Sequence, residues 1–170
     1  MQQGNPLKGL LSLALTVVAA QGLAHAAAAQ EVATVSAKGV EALIRSNAGS
    51  VVVVNFWATW CAPCLREFPD IIEFYNEHRD DGVEVIAISM NAADEMPDIE
   101  EFLGEFKPPF PVYRAATQDS AFYETVLDGW YGEMPTTVIY DVDGNRARVH
   151  KKPLTYDELA ADVGALLASR

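Results

Sequence analysis

Cys61 and Cys64 are the only two cysteines among 170 residues, and they stand three positions apart in the stretch NFWATWCAPCLREFP. Thiols at that spacing can close a structural bridge, supply part of a metal site, or pass electrons between dithiol and disulfide. A structural bridge stabilises by closing a loop of the unfolded chain, and one spanning two residues closes almost nothing. A closed zinc site needs four nitrogen or sulfur ligands at recognisable spacing. Besides the cysteines the chain offers His25, His78 and His150, which form no paired motif. Copper(I) accepts two or three soft ligands and stays open as an alternative, with Met134 as a third sulfur.

The redox reading fits the local physics. Val51–Trp57 (VVVVNFW) is a continuously apolar, β-branched run, which predicts a strand buried on both faces. A helix is expected to begin near Cys61, placing the first thiol at a helix N-terminus. There the unpaired N–H groups and the helix dipole stabilise a thiolate. Cys64 lies one turn along and partly shielded. Pro63 presets φ in the first turn, where no N–H is needed. Trp60 immediately precedes the first thiol.

The remaining elements read from periodicity. Residues 36–47 suggest a short helix with a Ser start. After the cysteines, Leu65, Phe68, Ile71, Ile72 and Tyr75 recur at helical spacing, and Pro69 within them predicts a kink. Asp80-Asp81-Gly82 marks a turn and residues 83–89 a second strand. Residues 98–106 read as a helix stopped by Lys107-Pro108-Pro109, residues 110–113 as a short extended piece, and residues 120–127 as another helix. Residues 136–141 and 146–150 flank the hairpin signal Asp143-Gly144, and residues 155–168 close the chain as an amphipathic helix. This order implies an α/β fold with a central mixed sheet covered by helices on both faces. The cysteine turn then lies at the carboxyl end of a central strand. No internal repeat or second domain is evident.

The formal net charge is −12, with 24 Asp and Glu against 12 Lys and Arg. Such a surface repels phosphate backbones and anionic headgroups, so a nucleic-acid partner is not expected. Residues 1–29 read as a signal peptide: Lys8, the apolar run 10–20, then Ala24-His25-Ala26 or Ala27-Ala28-Ala29 as an A-x-A cleavage site. The rival is an uncleaved membrane anchor, although Gln21 and His25 interrupt the apolar stretch. Either way residues 30–170 are expected to form one exported domain, in a compartment that permits disulfides.

NFWATWCAPCLREFP closely resembles the active-site segment of the TlpA/ResA-like thioredoxins, exported or membrane-tethered thiol–disulfide oxidoreductases with a W-C-x-P-C motif. The likeness extends over most of residues 30–170, through VEVIAIS, Phe110-Pro111-Val112, Met134-Pro135-Thr136-Thr137, Asp143-Gly144, and Pro153-Leu154-Thr155 with Asp157-Glu158-Leu159. Residues 114–133 are the least similar.

The resemblance implies a thioredoxin-like fold with no cofactor beyond a redox-active Cys61–Cys64 disulfide. Cys61 would be the exposed, attacking thiol and Cys64 the resolving one, with Trp60 and Pro63 in support. Pro135, which X-Pro base rates would make trans, would be a cis-proline whose loop lies against the disulfide. Asn55 occupies the strand position where ordinary thioredoxins carry a buried Asp. An amide cannot accept a proton there, but if buried it needs hydrogen-bond partners. Glu67 matches the carboxylate that the ResA-like branch uses instead; its spacing alone reads as a solvated helix glutamate. Burial would raise its pKa, and its charge would raise those of the thiols.

Met134, Glu133 and Thr136 would meet the client, with Glu133 repelling acidic clients. Trp130 and Tyr131 would pack under this loop or line a client groove, and His150 reads as a strand-surface residue. The partners implied are a client protein with a disulfide and a membrane thiol donor of electrons, acting on a periplasmic monomer in cytochrome c or copper-protein maturation. The copper alternative is a Cu(I) chaperone using Cys61, Cys64 and Met134.

Overall fold

The computed structural model describes Met1 and residues 31–169. The expected leader, residues 1–29, therefore lies outside the described residues except for Met1. Strands are β1 (Ala33–Val35), β2 (Val51–Trp57), β3 (Val83–Ser89), β4 (Val112–Ala115), β5 (Thr136–Tyr140) and β6 (Arg146–His150). Helices are α1 (Ala37–Ser46), α2 (Ala62–His78), α3 (Met96–Phe106), α4 (Ser120–Val126) and α5 (Tyr156–Leu167). They form a six-stranded sheet in the order β1-β4-β3-β2-β5-β6. The pairs β1–β4, β4–β3 and β3–β2 are parallel, whereas β2–β5 and β5–β6 are antiparallel.

All seven residues of β2 are buried, because β3 and β5 flank it and both sheet faces are covered. Its side chains alternate. Val51, Val53 and Trp57 join a core with Phe68, Ile71 and Phe74 of α2, Ile99 and Phe102 of α3, and Leu159 and Val163 of α5. Val52, Val54 and Phe56 join the opposite core with Val40 and Ile44 of α1 and Phe122 and Val126 of α4. Helices thus cover both faces of a mixed sheet, in the thioredoxin-like arrangement.

Three local outcomes differ from the sequence reading. Strand β1 was not foreseen; it has three residues, pairs only with β4 and forms the edge of the sheet. Helix α3 begins at Met96, two residues earlier than expected, because Pro97 sits in its first turn where no N–H is required. The extended piece after Pro109 becomes a strand only at Val112 and continues to Ala115. Helix α2 continues through Pro69 to His78 as one element.

Candidate active site

β2 ends at Trp57 and α2 begins at Ala62, so Cys61 stands at the N-cap of a helix that leaves the centre of the sheet. Cys61 and Cys64 are joined by a disulfide with S–S 2.02 Å and Cα–Cα 5.2 Å. The Cys64 N–H points at Cys61 Sγ, 3.3 Å away. One of the helix's free amide donors is thereby directed at the first sulfur, the arrangement that favours a thiolate once the bond is reduced. Pro63 occupies the first turn.

Cys61 was expected to be exposed, yet only 6% of its surface is accessible, against none for Cys64. It is the more accessible of the two residues, but it is buried rather than exposed. Trp60 beside it is exposed and helps line a cleft of about 370 Å³ together with Thr59, Phe102 and the carboxylates of Glu95, Asp98, Glu101 and Glu105.

A residue that sequence reasoning missed holds this turn. Asn91, just beyond β3, accepts from the Thr59 N–H at 3.0 Å and from Ser89 Oγ at 2.8 Å through Oδ1. Its Nδ2 donates to Thr59 Oγ1 at 2.6 Å and to Glu95 Oε2 at 3.2 Å. The Met90 N–H also donates to the Trp57 carbonyl at 2.7 Å. The polar residues following a strand's apolar run were the available signal.

Beneath the disulfide lies a polar cluster inside an otherwise apolar core. Glu67 is one turn beyond Cys64 on the same helix face and is buried, with 3% of its surface accessible. Its Oε1 accepts from Asn55 Nδ2 at 2.8 Å and its Oε2 from the Leu154 N–H at 2.9 Å. Asn55 Nδ2 also donates to Thr137 Oγ1 at 3.0 Å, across the register pair Asn55↔Thr137 of β2 and β5.

Burial pushes the Glu67 carboxyl from 4.5 up to about 7. The Leu154 and Asn55 donors oppose that rise and the charge of Asp70 adds to it. Thr137 and the Leu154 amide were not singled out as site residues. The first could be found by extending the β2–β5 register, whereas nothing local marks the second.

The Met134–Pro135 peptide bond is cis. Pro135 directly precedes β5, whose Thr136 pairs with Phe56 near the end of β2, so Pro135 and Met134 come to the same end of the sheet as the cysteine turn. Met134 is partly buried and packs against both core groups, one of which contains both cysteines. Thr136 is buried and donates through Oγ1 to the Glu133 carbonyl at 2.6 Å; it braces the loop from beneath.

The Glu133 carboxylate accepts from the Tyr131 N–H at 2.9 Å and from Lys151 Nζ at 3.1 Å. These donors hold it below the usual carboxylate range. Trp130 is fully buried and packs against Phe56 with the rings tilted at 49° and their centroids 4.6 Å apart, whereas Tyr131 stands out into solvent. His150 is half-buried against Asp162 at 2.8 Å.

A Redoxin family model matches residues 23–160 of this sequence. The chain is 32% identical over 111 residues to the thiol-disulfide oxidoreductase ResA of Oceanobacillus iheyensis, covering 65% of this chain and 54% of that one. It is 32% identical over 123 residues to ResA of Geobacillus kaustophilus, covering 72% and 66%. The chain thus spans between about half and two thirds of the length of these curated relatives. A crystal structure of a thiol:disulfide interchange protein of the thioredoxin family from Chlorobium tepidum superposes with a TM-score of 0.65 at 25% identity, covering 78% of this chain and 90% of that one.

Proposed function

The chain belongs to the Redoxin family, alongside the ResA-type thioredoxin-fold proteins, and from that premise we propose that it is an exported thiol–disulfide oxidoreductase that reduces disulfides of client proteins. One observation carries this reading: a CxxC disulfide at a helix N-terminus has a buried carboxyl, raised to about 7, one turn behind it.

In the reduced protein the Cys61 thiolate attacks one sulfur of a client disulfide. The client S–S bond breaks, a mixed disulfide forms, and the departing client thiolate takes up a proton from water. Cys64 then gives its proton to Glu67 and attacks Cys61 Sγ as a thiolate. The Cys61–Cys64 bond forms and the second client sulfur leaves, to be protonated in turn. The client gains two electrons and two protons, and a thiol donor at the membrane restores the dithiol.

A carboxyl that titrates near neutrality can both accept the Cys64 proton and release it again. Trp60, Met134 and the backbone around Pro135 form the rim on which the client lies. Residues 1–29 are the export signal, residues 30–170 the working domain, and the site of action the periplasm, as a monomer serving cytochrome c or copper-protein maturation.

The deciding experiment is the reduction potential of the Cys61–Cys64 pair at neutral pH, by equilibration against dithiol buffers. The expected value lies near thioredoxin's ~−270 mV. A value near the ~−120 mV of a strong oxidant such as DsbA would reverse the direction of electron flow and overturn the reading.

A second reading, a Cu(I) carrier with Cys61, Cys64 and Met134 as ligands and copper as cargo, is favoured by one observation. Met134 packs against the core group that holds both cysteines, and a thioether with two thiolates suits a soft ion. Met134→Leu would abolish tight Cu(I) binding under this reading and leave disulfide reduction largely intact under the first.

A further inference from the structure

Asn55 Oδ1 is buried and has no hydrogen-bond partner, although the rest of its amide is fully engaged. An unpartnered buried carbonyl beside a titrating carboxyl calls for a physical account. The Leu154 N–H is a fixed backbone donor, so it holds Glu67 Oε2 as an acceptor. A proton arriving on Glu67 must therefore sit on Oε1, the atom that faces Asn55 Nδ2. A donor amide facing a carboxylic hydroxyl is mismatched; an acceptor is required there.

We propose that the Asn55 side-chain amide turns over when Glu67 takes up a proton, so that Oδ1 replaces Nδ2 as the partner of Glu67 Oε1. Asn55 thereby acts as a positioning residue that serves both protonation states of the carboxyl. Thr137 permits the exchange, because its hydroxyl accepts from Nδ2 in one orientation and donates to Oδ1 in the other. In either orientation one end of the amide lacks a partner, so neither is strongly preferred by the surroundings, and the state of Glu67 decides.

The other groups facing the carboxyl are the Leu154 N–H, from the turn before α5, and the charge of Asp70 on α2. Cys64 precedes Glu67 by one turn on the same helix. The inference deepens the proposed role of Glu67 as proton acceptor and rests on that reading for its use in turnover, though not for its structural test.

The experiment is a pH titration of the oxidised full chain by NMR, following the Glu67 side-chain carboxyl carbon and the Asn55 side-chain amide. The amide resonances are expected to move with the same midpoint as Glu67, and contacts from the amide protons to Thr137 to be lost on the acid side. Amide signals that stay unchanged through the Glu67 titration would overturn the proposal.

Asn55→Ala supplies an independent arm. If the amide serves both states, its removal costs both, and the Glu67 midpoint shifts by less than about 0.5 pH unit. If Asn55 only donates to the carboxylate, the midpoint rises by about 1 to 2 pH units, which also overturns the proposal. Should the alanine variant not fold, the wild-type titration alone decides. A confirmed exchange with no effect of Glu67→Gln on client reduction would leave the switch standing and remove Glu67 from the reaction.

Discussion

At the residue scale Glu67 governs two separable quantities. Its carboxyl is the proton acceptor for Cys64 in the proposed reaction, so Glu67→Gln should slow resolution of the mixed disulfide on the order of 10²-fold near neutral pH. Stopped-flow reduction of a disulfide peptide reads this directly, and a wild-type rate would make Glu67 a purely structural residue.

The same carboxyl links stability to pH. Its folded-state pKa of about 7 lies above the ordinary 4.5, so the folded protein binds this proton more tightly than the unfolded chain does. The associated stability is fully present below about 4.5, is lost as pH rises to about 7, and changes no further above that. The span corresponds to at most about 3 kcal/mol. Urea unfolding of the oxidised wild type should therefore weaken across that window relative to Glu67→Gln. A pH-independent difference between the two would contradict the buried titration.

The two cysteines were legible in the sequence from spacing alone. Glu67 was legible only through the family resemblance, because by spacing an i,i+3 glutamate on a helix reads as solvated. Only the closure of β2, β5 and the turn before α5 around it creates the burial that makes it titrate near neutrality.

At the element scale the loop between α4 and β5 carries Met134 against the core group that holds the cysteines, and Gly132 is a close-packed point within it. Its φ is +86°, and a Cβ there would come within 2.8 Å of the Tyr123 ring, which is itself packed edge-on against Trp130 at 5.0 Å. Gly132→Ala should therefore cost about 1–3 kcal/mol through both the left-handed backbone and the displaced ring. The midpoint of thermal unfolding would fall and the Trp130 fluorescence would shift. An unchanged midpoint would show that the loop adapts freely and that the Glu133 contacts to Tyr131, Lys151 and Thr136 carry no energetic weight.

The central elements were readable because their signals are local and redundant. β2 and β3 are long apolar runs, the β5–β6 hairpin carries Asp143-Gly144, and α5 starts with Thr155 and Glu158 in a reciprocal cap. β1 was not readable, because three residues carry no period and its existence depends on β4 offering an open edge. The burial of Cys61 was likewise not legible, since exposure depends on tertiary packing and not on local spacing.

At the scale of the whole molecule, charge acts on the site from one side. The chain carries −12 overall, and Glu95, Asp98, Glu101 and Glu105 gather along the cleft beside Trp60. Glu133, on the loop before Pro135, is tied to Lys151 and so adds little net field. Carboxylates around a reacting sulfur raise the local concentration of cations and lower that of anions, an effect that salt screens over about 10 Å at 0.1 M ionic strength.

The reduced protein should therefore reduce a small cationic disulfide such as cystamine faster than an anionic one such as dithiodiglycolate. The ratio should exceed the one measured with a free dithiol and shrink toward it at high salt. Replacing Asp98 and Glu101 together with Asn and Gln should reduce the preference without altering the reduction potential. If the ratio matches the free dithiol at every salt concentration, the acidic surface serves solubility alone and client choice is left to the shape of the rim around Trp60 and Met134.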